Sequence, residues 1–223
     1  MSITNTSSTA IIPLRVIVRR EGDSEESTTL RAILDMCHER GVSLDAQVTA
    51  SVACYVLDAL VQLHTRGNVF GAIAPDDIRV SCSPSDIKSV DIEPLENHPS
   101  QGSVSRMRFR YAAPEVVAFG ERTAAADVYS LGIILGECLY GEMFFQLLDT
   151  RPLYAIFDSI SYDPNCWHRD GQGGDNSILL LISVMVRREP EKRPPAPDLL
   201  RVLRRPGGEK GLVLADTLRE DCR

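Results

Sequence analysis

The sequence contains no Cys-x-x-Cys pair, and none of its cysteines has a histidine at the spacing of a zinc-ligand set. We therefore predict no metal site. Isolated cysteines are typical of free thiols in a reducing compartment. Cys54 and Cys138 fall within helical apolar patterns and are expected in the core, because free cysteine behaves as a small hydrophobe. The six cysteines are Cys37, Cys54, Cys82, Cys138, Cys166 and Cys222.

Positive charge is in deficit, with 24 Lys and Arg against 31 Asp and Glu and a formal net charge of −7. Such a surface repels phosphate backbones and anionic lipids on average, so neither nucleic acid nor a membrane is expected as a partner. The last third is locally basic, and we interpret it as a solvated helix face with one structural arginine. Its basic residues are Arg187, Arg188, Lys192, Arg193, Arg201, Arg204 and Arg205.

No segment has the pattern of a secretory signal or a long apolar run. Residues 1–10 are rich in Ser and Thr, with no basic region followed by an apolar stretch. The longest apolar run, residues 178–186, is shorter than the roughly 20 residues that cross a bilayer. We therefore expect a soluble, cytoplasmic protein.

Residues 124–139 predict a helix that is buried nearly all round. Apolar side chains cover more than one helical face there, so other elements are expected to pack around this helix. Thr123 can cap its N-terminus through its hydroxyl, and Gly141 can end it in a left-handed conformation. The apolar positions are Val128, Leu131, Ile133, Ile134, Leu135, Cys138 and Leu139.

A second helix is predicted over residues 45–65, where apolar residues recur at steps of three and four. Asp45 favours its first turn, and Gly67 ends it. Around these two helices we predict a strand at 14–18, a loop at 21–28, a helix at 30–37 closed by Gly41, a strand at 87–90 and a helix at 198–205.

Three motifs in order resemble the protein kinase C-lobe. Ala113-Pro114-Glu115 is similar to the end of a kinase activation segment, and residues 127–132 (DVYSLG) are similar to the start of the central C-lobe helix, which makes Asp127 a structural residue. The loop 188–194 resembles the one whose arginine pairs with that glutamate, so the resemblance implies a structural pair of Glu115 with Arg193. His64, in the sequence Leu-His-x-x-Gly, is likewise expected to be structural.

The segment 69–78 (VFGAIAPDDI) aligns without a gap to the kinase catalytic loop, but its working groups differ. Ala72 stands in place of the catalytic aspartate, Ala74 in place of the lysine, and Asp77 in place of the metal-binding asparagine. A methyl group cannot accept a proton or neutralise a phosphate. We therefore expect no catalytic residues and a chain that is not an enzyme.

Asp91 occupies the position of the magnesium-binding aspartate. Asp77 and Asp91 together could hold a hard cation through oxygen ligands. We prefer the interpretation of two carboxylates on a solvated former active-site rim, because the chain contains no Gly-x-Gly-x-x-Gly to hold phosphates. No cofactor and no metal are therefore predicted.

Residues 94–105 correspond to the rest of the activation segment and include Ser100, Ser103 and Ser105. The arginine with which a phosphate there would pair in a kinase is Gly71 here, so this phosphorylation switch is expected to be absent. The tripeptide 168–170 (HRD) spells the kinase catalytic motif, but it follows the central helix, and we interpret it as a chance match in a loop.

The predicted fold is mainly α within an α+β superfamily: a protein kinase-like C-lobe whose N-lobe is absent. We expect a disordered tail at 1–10, the C-lobe at 11–205 and a C-terminal tail at 206–223. Within the superfamily the chain resembles KIND modules, the kinase non-catalytic C-lobe domains that bind other proteins.

The expected function is that of a pseudokinase scaffold or adaptor that binds another protein. Without an N-lobe, the face it would cover is exposed, and Phe70, Ile73 and Ile92 are the candidate partner surface. The alternatives are a structural subunit of a larger assembly, or an enzyme half that phosphorylates proteins when another chain supplies an N-lobe.

Overall fold

The computed structural model describes residues 27–83, 86–92, 106–141, 144–145 and 177–204. The expected strand at 14–18, both tails, residues 94–105 and the tripeptide at 168–170 lie outside the described residues, and so do the side chains of residues 82–92. The described part is largely helical, with one small sheet.

The sheet has three antiparallel strands in the order β1-β2-β3, with β1 at Ser27–Thr29, β2 at Ile78–Ser83 and β3 at Asp86–Ile92. Thr28 faces Val80, and Val80 faces Val90, with a register shift at Ser81 and Cys82. The strand predicted at 87–90 is therefore confirmed. The loop predicted at 21–28 is wrong at its end, because the backbone groups of β1 pair with those of β2.

Helix α1 spans Leu30–Glu39, and the Thr29 hydroxyl accepts from the amide of Ala32 at 3.2 Å to cap it. Helix α2 spans Ala46–Thr65, and the Asp45 carboxylate accepts from the amide of Val48 at 2.8 Å. Both helices confirm their predictions. The capping side chains satisfy amides that lack partners within the first turn.

Helix α2 is long enough and apolar enough to cross a membrane, by length and composition alone. The search of the sequence for long apolar runs did not identify it. Core helices of globular proteins meet the same two criteria. One face of α2 is buried and contributes to the core through Thr49, Val52, Ala53, Val56, Leu57 and Leu60.

Two short helices, α3 at Arg106–Phe109 and α4 at Pro114–Phe119, lead to the central helix α5 at Ala124–Tyr140. Every residue from 126 to 138 is buried, which confirms the prediction of a helix enclosed on all sides. The Thr123 hydroxyl caps α5 by accepting from the amide of Ala126 at 3.2 Å.

Helix α6 at Ser177–Met185 packs on α5, and helix α7 at Ala196–Leu203 packs on α2. Single-turn 3₁₀ helices lie at Pro75–Asp77 and Pro190–Lys192. The prediction at 198–205 locates α7 but starts and ends two residues late. At Gly132 the helix α5 comes so close to α6 that a Cβ atom would lie 2.7 Å from Val186 and 2.9 Å from Met185.

Candidate functional site

Asp127, at the first turn of α5, holds the start of the segment 69–78. Its carboxylate accepts from the amides of Phe70 at 3.0 Å and Gly71 at 2.5 Å, and it lies 2.9 Å from Nε2 of His64 at the end of α2. The Asp127 side chain is fully buried. A buried carboxylate with three hydrogen-bond partners fixes the position of this loop relative to both long helices.

Gly71 occupies the place where the resemblance puts an arginine, and its backbone has a φ of 85°. A side chain there would be strained and would meet the side chain of Arg122. The loop conformation therefore requires glycine at this position.

Ala72 and Ala74, at the positions of the catalytic aspartate and lysine, are buried with 7% and 0% exposure. They offer only methyl groups at this point of the loop. These two side chains therefore supply neither a group that accepts a proton from a substrate hydroxyl nor a group that binds phosphate.

Asp77 is not on a solvated rim, so the preferred interpretation is wrong for this residue. It is 3% exposed, and its carboxylate receives two bonds from Arg108, from Nη1 to Oδ2 at 2.8 Å and from Nη2 to Oδ1 at 2.6 Å. The amide of Ala74 donates to Oδ2 at 2.9 Å. Arg108 had no distinguishing sequence signal, because it lies 31 residues from Asp77 in a stretch with several arginines.

A second polar cluster, around Glu137 near the end of α5, was also missed. Glu137 is 2% exposed, and it accepts from Nη1 of Arg31 at 3.1 Å and from the Tyr111 hydroxyl at 2.7 Å. Arg31 also donates to Tyr111 and lies 3.9 Å from the carboxylate of Asp76. Burial, followed by the neighbouring charge of Glu137, raises the pKa of Tyr111 well above its usual range. The sequence contained one signal of this cluster, because Glu137 lies within a helix that was predicted to be buried.

Glu115 and Arg193 form a paired contact, as the resemblance implies. Nη1 donates to Oε1 at 2.6 Å and Nη2 to Oε2 at 2.9 Å, and the guanidinium lies 4.9 Å from the ring centre of Tyr129. Burial by itself raises the pKa of Glu115, but the hydrogen bond and charge of Arg193, with a backbone hydrogen bond, lower it overall. Burial also raises the pKa of Tyr129 to about 12.

The candidate partner surface is corrected by the structure. Phe70 is 8% exposed and Ile73 is fully buried, because both pack in the hydrophobic core behind the loop. The side chain of Ile92 lies outside the described residues. The large apolar side chains that the described residues expose are Tyr55, Val69, Phe109, Val117 and Phe119.

Cys37, Cys54 and Cys138 are free cysteines. Burial raises the pKa of the Cys37 thiol to about 11, and it raises that of Cys54 and Cys138 as well. In the part of the chain that the structure describes, no group of three or more His, Cys, Asp or Glu residues is placed to hold a metal ion.

Three relatives illustrate what the chain is similar to. It is 28% identical to Probable serine/threonine-protein kinase pknA2 of Bifidobacterium longum over 151 residues, which is 66% of this chain and 19% of that protein. It is 27% identical to Inactive serine/threonine-protein kinase TEX14 of Mus musculus over 135 residues, 56% of this chain and 9% of that protein. It is 28% identical to Serine/threonine-protein kinase ste20 of Aspergillus oryzae over 156 residues, 68% of this chain and 18% of that protein. The chain thus spans less than a fifth of the length of each of these relatives.

The sequence profile described as protein kinase domain matches residues 16–202, most of the chain. This match and the relatives named as serine/threonine kinases contradict the expectation that the chain is not an enzyme, since they point to a kinase. The relative named inactive favours a non-catalytic role. The motifs at 69–78, 113–115 and 127–132 fall within the matched range, and the chain belongs to the protein kinase domain family.

Proposed function

We propose that the chain acts as a scaffold, a kinase-fold module whose role is to bind another protein. The observation that carries the proposal is the loop 69–78, which side chains from two helices hold in place although Ala72 and Ala74 present only methyl groups. Asp127 holds the start of this loop, and Arg108 contacts its end. The role holds whether or not the chain also transfers phosphate.

Two further points support a binding role. One relative is named as an inactive kinase, and the chain resembles KIND modules, kinase-fold domains that bind other proteins. A protein kinase-like C-lobe over residues 11–205 belongs to this proposal. So does an intracellular, reducing location, which the free thiols of Cys37, Cys54 and Cys138 favour.

The surface best suited to a protein partner is helix α4. Phe119 is 79% exposed and Val117 is 53% exposed, two residues apart at the end of that helix. The exposed ring of Phe119 is of the aromatic type enriched at the centres of protein interfaces, whereas Val117, two residues earlier, does not share its face of the helix. The net charge of −7 makes nucleic acid and anionic membranes unfavourable partners by comparison.

Affinity capture from native lysate tests the proposal, with Phe119→Asp as the variant and Val69→Asp as the matched control. Val69 is 39% exposed and lies in the loop, so the same change in charge is made away from α4. We expect wild type and Val69→Asp to retain one partner in fixed stoichiometry and Phe119→Asp to lose it, with all three equally folded by circular dichroism. Equal capture by all three would place the interface elsewhere.

A second candidate is protein phosphorylation, favoured by the family match and by relatives named as serine/threonine kinases. Since Ala72 and Ala74 supply neither a carboxylate nor an ammonium group, another segment or chain would have to supply them. Phosphate transfer from ATP to a captured protein, measured in the same preparation, distinguishes this candidate. Transfer without a stable partner would contradict the scaffold role.

A further inference from the structure

Arg108, in α3, and Asp77, in the segment that aligns with the kinase catalytic loop, form a bidentate ion pair. Both guanidinium Nη atoms contact the carboxylate, at 2.6 and 2.8 Å. The Asp77 side chain is 1% exposed and that of Arg108 is 13% exposed. Nη1 also lies 3.4 Å from the carbonyl oxygen of Ala72. One side chain of α3 therefore contacts both ends of the stretch 72–77.

The carboxylate of Asp77 does not fit a divalent cation in this arrangement. Three N–H groups, two from Arg108 and one from Ala74, already donate to its two oxygens. A carboxylate has about four lone-pair positions, so little coordination capacity is left. A magnesium ion at about 2.1 Å from either oxygen would also stand next to a guanidinium of like charge.

We propose that Arg108 occupies the place of a divalent cation at Asp77 and acts as a latch that joins α3 to the loop 69–78. With the latch closed, the guanidinium neutralises Asp77 and excludes metal ions. A divalent cation could approach either oxygen of Asp77 only if Arg108 left the carboxylate. The inference goes beyond the proposed function, because it concerns cation access to the loop and not a protein partner.

The bidentate geometry of the Arg108–Asp77 pair strengthens the contact between α3 and the loop 69–78. A bidentate guanidinium–carboxylate pair fixes orientation as well as distance. Because Asp77 is buried, removal of Arg108 leaves a charge whose one remaining partner among the described residues is the Ala74 amide, and that charge favours a new cation. A lysine at position 108 would contact the carboxylate as a point charge and could not hold both oxygens in this way.

The test titrates Mn²⁺ alone, as its chloride salt, into the purified full chain and follows the electron paramagnetic resonance signal of free Mn²⁺. The variants are Arg108→Gln, Arg108→Gln with Asp77→Asn, and Arg66→Gln as a control. Arg66 is an exposed residue at the end of α2 and is not part of the ion pair, so its substitution removes the same charge and leaves the contact between Arg108 and Asp77 in place. Circular dichroism establishes that each variant is folded.

We expect Arg108→Gln to bind Mn²⁺ about tenfold more tightly than wild type or Arg66→Gln, and we expect the added Asp77→Asn change to abolish this gain. Equal binding by wild type and Arg108→Gln would overturn the latch. If Arg108→Gln does not fold, amide exchange of residues 70–78 in the wild-type chain decides. Exchange unchanged by Mn²⁺ supports exclusion, and a Mn²⁺-dependent change at Ala74 overturns it.

Discussion

Arg193 uses all five of its guanidinium N–H groups. Besides the two bonds to Glu115, it donates to the carbonyl oxygens of Arg187 at 2.7 Å, Ala125 at 3.0 Å and Arg188 at 3.0 Å. Its side chain is fully buried. The ion pair therefore ties α4 to the first turn of α5 and to the loop before α7.

We expect Glu115→Ala to lower the free energy of unfolding by about 3 to 5 kcal/mol, because the guanidinium of Arg193 is left buried without its counterion. Urea unfolding followed by circular dichroism measures the loss. Glu189→Ala is the control, since Glu189 has a half-exposed side chain 4.0 Å from that of Lys192. Equal stability of wild type and Glu115→Ala would contradict a structural role for the pair.

Asp127→Asn tests whether the loop depends on a carboxylate. An asparagine can offer only one acceptor oxygen, and its amide group would face a backbone N–H of Phe70 or Gly71. We expect a loss of about 1 to 3 kcal/mol, the cost of a buried donor without a partner, and faster amide exchange at these two residues. Asp58→Asn removes only a half-exposed ion pair of α2 with Arg204, so it should cost less than about 1 kcal/mol and leave the exchange at Phe70 and Gly71 unchanged. Unchanged exchange in Asp127→Asn would mean that the loop is held by other contacts.

Helix α5 depends on close approach at glycines. A Cβ atom at Gly136 would overlap the ring of Phe144, whose side chain is 1% exposed. Tyr140 stacks on the same ring, with centroids 6.4 Å apart. The packing around α5 therefore depends on its glycines, which let neighbouring side chains come close to the helix, as much as on its apolar residues.

We expect Gly136→Ala to destabilise the protein by about 1 to 3 kcal/mol through overpacking against Phe144, in spite of the better helix propensity of alanine. Thermal unfolding measures the change. In a Phe144→Leu background the smaller side chain leaves room, so the same substitution should cost less. An equal cost in both backgrounds would show that Phe144 is not the source of the strain.

The pH dependence of the folded protein reflects the Glu115–Arg193 pair. The pKa of Glu115 is lowered from 4.5 in the folded chain, so the unfolded chain binds this proton more readily. The stabilisation by the pair is therefore complete above the unfolded pKa and is lost as pH falls through the lower, folded pKa.

We accordingly expect the difference in unfolding free energy between wild type and Glu115→Gln to be largest at neutral pH and to shrink below pH 4.5. Urea titrations at a series of pH values measure it. If this difference stays constant down to the lowest pH at which the protein is folded, Glu115 does not titrate differently in the folded and unfolded states.

Local patterns account for much of the architecture. The periodicity of α2 and α5, with caps at Asp45 and Thr123, predicted both helices to within one residue. Strands β1 and β2 were not predicted, because each is short and depends on pairing with a neighbour. Helix α6 was noted only as an apolar run, since an apolar stretch of that length has no clear period.

What the sequence determined by itself was local or came from motif order: the helices, their caps, and the resemblance that led to the kinase family and to Glu115 with Arg193. Only the tertiary structure decided that Phe70 and Ile73 are buried, that Arg108 neutralises Asp77, and that Arg31 meets Glu137 from 106 residues away. The physical reason is the distance along the chain over which each kind of interaction acts. Helix periodicity and capping bonds act within a few residues, whereas the partner of a buried charge is set by which segments pack together.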